Sequence, residues 1–114
     1  MKPKNYSIEN AVLDEAFDAA AAATIRYLNS HPDQWYPCGF SWVKIKPARG
    51  RLVEALKEQG LGKTDEFEGG FQVYNPGKNF TQCMDAKYEG SKAFVEVLKK
   101  HYPNLTAYPV SRID

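Results

Sequence analysis

One proline constrains this fold more than any other residue. Leu105 to Ser111 reads as the last strand of the chain, and Pro109 lies inside it. Proline has no backbone N–H to give to a ladder, so a strand that contains one belongs on a sheet edge. The chain must therefore fold so that its closing strand has a neighbour on one side only.

The upstream elements meet that demand. Residues 7–29 read as a helix that Ser7 can cap, with Ile8, Val12, Ala16, Phe17, Ala20, Thr24, Tyr27 and Leu28 at helical spacing. The alanines of Ala19 to Ala23 favour helix and let another backbone come close. His31-Pro32-Asp33 stops it, because proline disfavours helical geometry at the residue before it. Phe40 to Lys46 alternates as a strand, with Ser41, Val43 and Ile45 on one face and Phe40, Trp42, Lys44 and Lys46 on the other. Pro47 suits the first turn of a helix that runs to Gln59 and stops at Gly60. Strands are expected over 67–74 and 79–84, joined by Asn75-Pro76-Gly77-Lys78 as a type II turn, with a helical Phe80 to Met84 and a three-stranded sheet as the alternative. Asp85 can cap a second long helix with Tyr88, Phe94, Val95, Leu98 and Tyr102 inward, and Pro103 follows it.

The order is a helix followed by β-α-β-β-α-β. That second part is the split βαβ arrangement of ferredoxin-like domains. Its spatial order, 4-1-3-2, places the proline-bearing strand on an edge. The expected fold is α+β: a ferredoxin-like βαββαβ sheet over residues 38–114, with an additional N-terminal helix (residues 1–30) packed on it. With 114 residues and no internal repeat or linker, this is one domain, 1–114.

Composition narrows the function classes. The apolar share of 43% and charged share of 25% are those of a globular protein. Fifteen basic residues against fourteen acidic ones leave whole-molecule charge with no preference of partner, so only local patches count. The longest apolar run, Ala19 to Ala23, is too short to span a bilayer, so no membrane partner is expected. Met1-Lys2-Pro3-Lys4 is basic, but no signal-peptide apolar region follows, which points to the cytoplasm. Cys38 and Cys83 are too few for a disulfide scaffold and fit a reduced compartment.

Two groups of residues suggest binding. Phe40 and Trp42 share a strand face that ferredoxin-like sheets leave open, and Phe80 is expected beside them. In RNA-recognition domains such aromatics stack bases. Lys44, Lys46, Arg49 and Arg51 could hold phosphates, with Glu54 as the nearby opposing charge. The structural alternative, which the sequence favours, lays the N-terminal helix across the open face and buries both aromatics. The turn Lys46 to Arg51 also sets two guanidiniums at a helix start, where amides and dipole favour an anion. The acylphosphatase loop that binds phosphate at a comparable place is glycine-rich, which this turn is not.

Antiparallel pairing of the first and third strands would bring Cys38 near Cys83. With His31 they lack zinc-ligand spacing, so inert thiols and no metal are expected. Asp65, Glu66 and Glu68 read as a solvated turn. No catalytic residue and no cofactor emerge.

The runs Cys38-Gly39-Phe40-Ser41-Trp42-Val43, Asn75-Pro76-Gly77, Met84-Asp85-Ala86-Lys87 and Ser111-Arg112-Ile113-Asp114 resemble a group of small phage-encoded proteins. These carry CGFxWV, a central helix and an SR-apolar-D ending. The resemblance covers residues 38–114 and implies a bacteriophage accessory product acting in the cytoplasm of an infected bacterial cell. It carries over no functional residue, but it draws attention to Arg112 and Asp114 as an end pinned by a salt bridge or reaching a partner, with an exposed polar tail as the equal alternative.

Three readings follow, in order. The first is a non-enzymatic binding protein that engages a host or phage macromolecule, a protein before a nucleic acid, through Lys44, Lys46, Arg49 and Arg51. The second is a single-stranded nucleic-acid binder using Phe40, Trp42 and the same cations. The third is a small enzyme acting on a phosphate-bearing substrate at that corner. Exposure of Trp42 separates the first two.

Overall fold

The computed structural model describes residues 5–32 and 36–114. Met1 to Lys4, read above for a leader, and Asp33, read as part of a helix stop, lie outside the described residues. The elements are α1 (Ser7–Ser30), β1 (Gly39–Lys46), α2 (Arg51–Glu58), β2 (Lys63–Thr64), β3 (Phe71–Tyr74), α3 (Met84–His101) and β4 (Thr106–Ile113). The four strands form one antiparallel sheet in the order β2-β3-β1-β4. This is the α+β, ferredoxin-like arrangement with an extra N-terminal helix.

The position of Pro109 follows from ladder parity. Asp114 N donates to Cys38 O at 3.0 Å, and the register pairs Gly39 with Ile113 through to Lys46 with Thr106. Hydrogen-bonded and non-bonded pairs alternate in an antiparallel ladder. Even-numbered β4 residues therefore turn their amides to β1, and odd-numbered ones turn outward. Pro109 is in the outward set, so the ladder loses nothing.

The hairpin differs from expectation. It joins β2 to β3 through residues 65–70, where Gly69 (φ 80°) and Gly70 (φ 87°) supply left-handed backbone. Asp65 organises that loop, its Oδ1 accepting from the amides of Phe67 (3.0 Å) and Glu68 (3.2 Å). Residues 79–84 form no strand. Asn79 Oδ1 accepts from Thr81 N at 2.9 Å and Thr81 Oγ1 from Cys83 N at 3.1 Å, so side chains satisfy these amides locally. Only Cys38 and Cys83 bridge there. The turn before this segment closes through Lys78 N and Asn75 O at 2.9 Å, with positive φ at Asn75 and Lys78 rather than at Gly77, so it is not type II.

Helix ends differ in detail. Asn5 Oδ1, not Ser7, accepts from an α1 end amide, that of Ser7, at 2.8 Å. Cys83 rather than Asp85 caps α3, its Sγ accepting from Ala86 N at 3.4 Å. Gly60 (φ 71°) ends α2 as expected, but the helix begins at Arg51 rather than Pro47.

α1 does not lie across the open sheet face. It runs antiparallel along α3, on the helix side. Thr24 Oγ1 donates to Ala86 O at 3.1 Å, the Phe17 and Phe94 rings meet edge-on at 4.9 Å, and His101 Nε2 lies 2.8 Å from Glu15 Oε1. The reason is close fit. Ala16, Ala20 and Thr24 form a stripe of small buried residues, and glycines face its end. A Cβ on Gly77 would sit 2.5 Å from Thr24 Oγ1, and one on Gly90 would overlap the same atom and lie 3.1 Å from Ala20 O. Leu13 is fully buried, whereas Ile8, expected inward, is exposed.

The core forms between this helical layer and the inner sheet face. Val43, Ile45, Phe71, Val73 and Ala107 meet Leu52, Val53, Ala55 and Leu56 of α2 and Phe94 and Leu98 of α3. Ser41 and Ser91 share a buried 2.7 Å hydrogen bond that ties β1 to α3, and Ser41 Oγ also lies 2.7 Å from Val110 O.

Candidate functional site on the open sheet face

Packing every described helix on one side leaves the other sheet face with no helix over it, although the 65–70 loop folds over it at Lys44. Cross-strand partners share a face, so the register names its residues: Phe40 beside Arg112, Trp42 between Tyr74 and Val110, Lys44 between Gln72 and Tyr108, Lys46 beside Thr106, and Lys63 beside Gln72. Three aromatics cluster at one end. Trp42 and Tyr74 stack with centroids 6.0 Å apart and planes within 10°, and Phe40 lies 6.1 Å from Tyr74. Tyr74 is 55% exposed, and Phe40 and Tyr108 are also exposed. Trp42 is half-buried among its sheet neighbours, not beneath α1. Its Nε1 is buried without a hydrogen-bond partner.

Cations border these rings. Lys87 Nζ donates to Gly39 O at 2.9 Å and stands 5.5 Å from the Phe40 centroid. Lys46 Nζ stands 5.9 Å from the Tyr108 centroid. Burial pushes the Tyr74 hydroxyl pKa up, while the nearby Arg112 charge pulls it down and Asp114 pushes it up. Arg112 thus acts electrostatically on the aromatic cluster. Ladder pairing, with Asp114 N on Cys38 O, pins this end of the chain against β1.

The four cations expected at one corner are dispersed. Lys44 is 2% exposed: its Nζ pairs with Asp65 Oδ2 and donates to Gly69 O at 2.9 Å. The Lys44 ammonium and the amides of Glu68 and Phe67 hold the Asp65 carboxyl at a pKa of about 2, so Asp65 is no solvated turn residue. Arg51 faces the helix side, its Nη2 3.3 Å from Glu9 Oε1 and its guanidinium 4.9 Å over the Tyr6 ring. Arg49 is exposed, and with Arg51 it lines a cavity of about 500 Å³ whose other walls include Leu52, Tyr102 and Leu105. Only Lys46 reaches the aromatic face without a buried partner.

Phe80 does not join the sheet; it is fully exposed on the segment after β3. Tyr74 occupies the place expected for it. Tyr74, Tyr108, Lys63 and Lys87 were not expected here. The Phe71-Gln72-Val73-Tyr74 alternation marks Tyr74 as outward once Phe71 is inward, but Tyr108 and Lys63 require the register, and Lys87 requires the packing of α3 against β1. His31 is turned to its own helix, stacked on Tyr27 with Nδ1 2.9 Å from Tyr27 O, and not toward the cysteines. Among the described residues no group of three His, Cys, Asp or Glu side chains is placed to hold a metal, and no helix is long and apolar enough to cross a membrane.

Fold and face together define the class: an α+β sheet domain with one face covered by helices and the other bearing aromatics edged by cations. No protein-family model, curated protein or solved structure matches the chain.

Proposed function

We propose that this is a non-enzymatic binding protein whose open sheet face takes single-stranded nucleic acid. Phe40, Tyr74 and Tyr108 stack bases, Trp42 backs them, and Lys46, Lys63, Lys87 and Arg112 meet phosphates. One observation carries the reading: the aromatic cluster lies on a sheet face that no described helix covers. Base stacking on such rings contributes about 1–3 kcal/mol per base and tolerates any sequence. The resemblance to phage accessory proteins supports an infected bacterial cytoplasm as its setting. Docking of a host or phage protein on the corner around Arg49 and Arg51 is the competing reading. Dispersal of the four cations favours the sheet face over it.

Fluorescence anisotropy with labelled single-stranded DNA and RNA oligonucleotides tests the proposal. Affinity is expected to fall with salt at a log–log slope of about −0.7 per phosphate contact. Tyr74→Ala should weaken binding by about 1–3 kcal/mol while leaving the melting temperature nearly unchanged, since its ring is largely exposed. Absence of binding to either oligonucleotide at low salt would sink the nucleic-acid reading. A nuclease-resistant protein captured by the wild type and lost on Arg49→Glu would replace it with the corner reading.

A further inference from the structure

Cys38 and Cys83 face one another across an isolated antiparallel bridge. Gly39 N donates to Gln82 O and Met84 N to Pro37 O, both at 3.1 Å, so the ladder bonds flank the cysteines. That makes the two a non-hydrogen-bonded pair, a position where Cα atoms lie about 4.5 Å apart and side chains emerge on one face. Disulfides span Cα separations of about 4.4–6.8 Å, so the backbone is already within range. Both thiols are free; Cys38 is exposed, and Cys83 is fully buried with its Sγ against the first turn of α3.

We propose that Cys38 and Cys83 form a reversible disulfide by exchange with a low-molecular-weight disulfide of the glutathione class. Exposure sets the order of events, since only Cys38 can meet the reagent. The Cys38 thiolate attacks one reagent sulfur and the reagent S–S bond breaks. One reagent thiolate leaves and takes up a proton, and Cys38 carries a mixed disulfide. The Cys83 thiolate then attacks Cys38 Sγ and expels the second reagent thiolate, which is protonated in turn. Two protein thiols are oxidised, one reagent disulfide is reduced to two thiols, and the two cysteine protons end on the released thiols. The product joins the chain entering β1 to the residue capping α3, closing a loop that holds β1, α2, β2 and β3. Reduction by excess thiol reverses each step.

The test equilibrates the native full chain in glutathione buffers of graded ratio, quenches with acid and maps peptides without reduction. A Cys38–Cys83 cross-linked peptide pair is expected, lighter by two hydrogens than the free pair. The melting temperature of the oxidised protein should be higher, and Cys38→Ser should show neither change. Cys83→Ser should instead accumulate glutathione on Cys38. A wild type that retains glutathione on Cys38 without cross-linking, or that cross-links only in denaturant, would overturn the proposal whether or not either variant folds.

Discussion

Lys44 and Asp65 are twenty-one positions apart, and each looks like a solvent residue in the sequence. Folding makes them one group. An unpaired ammonium this buried would be costly, and removing its partner is worse than removing the pair. Asp65→Ala is therefore expected to lower the melting temperature more than Lys44→Met does, because Asp65 remains held by two amides in the second variant. Acid gives a further check. Asp65 titrates at about 2 in the fold, below the unfolded value of about 3.9. A depressed carboxyl contributes stability that is present above the unfolded pKa and lost as pH falls through the folded one. The melting-temperature gap between wild type and Asp65→Asn should stay constant down to about pH 4 and close toward pH 2. The sequence hid this pair because charge and alternation place Lys44 on the outer face correctly, while nothing local says that a loop will fold over it. The same limit applies to Arg51, whose partner Glu9 lies on another helix.

At the level of elements, the α1–α3 contact is only half legible in the sequence. The small-residue stripe and its need for a close neighbour were legible. Its partner was not, because the sheet face and the back of α3 were both unclaimed, and only Gly77 and Gly90 decide between them. Gly90→Ala gains about 0.5–1 kcal/mol of helix propensity but forces a methyl group onto Thr24 Oγ1, an overpacking cost of about 1–3 kcal/mol. Net destabilisation is expected in denaturant melts, and it should be less than additive with Thr24→Ala. Phe94→Ala, which empties a fully buried site, should cost about 3–5 kcal/mol. Phe17→Ala should cost less, because that ring is only half-buried. Without residues 1–30 the outer surface of α3 loses its cover, so the fragment 31–114 should aggregate or melt without cooperativity. The β2–β3 hairpin escaped notice because Lys63-Thr64 is polar, exposed and two residues long, with no alternation to read.

Across the whole molecule, the net charge of +1 hides an uneven distribution. On the helix side Arg51 pairs with Glu9 and Lys100 with Glu15, which His101 Nε2 also contacts. The open face keeps Lys46 and Arg112 beside exposed rings. Reversing Lys46 and Arg112 to Glu should abolish oligonucleotide binding in the anisotropy titration with little change in stability, as exposed substitutions move it by about 0.5 kcal/mol. Arg51→Glu is a poor control, since it would set a carboxylate against Glu9. The outward phase of Pro109 has a consequence for how copies of this protein meet. A regular eight-residue strand with free amides would template strand addition by another chain. Here the donor row is interrupted at its middle, and the opposite border of the sheet is only two residues long. At high concentration the protein should resist fibrillar growth along the sheet. Replacing Pro109 with Val should restore the row and raise thioflavin-positive assembly.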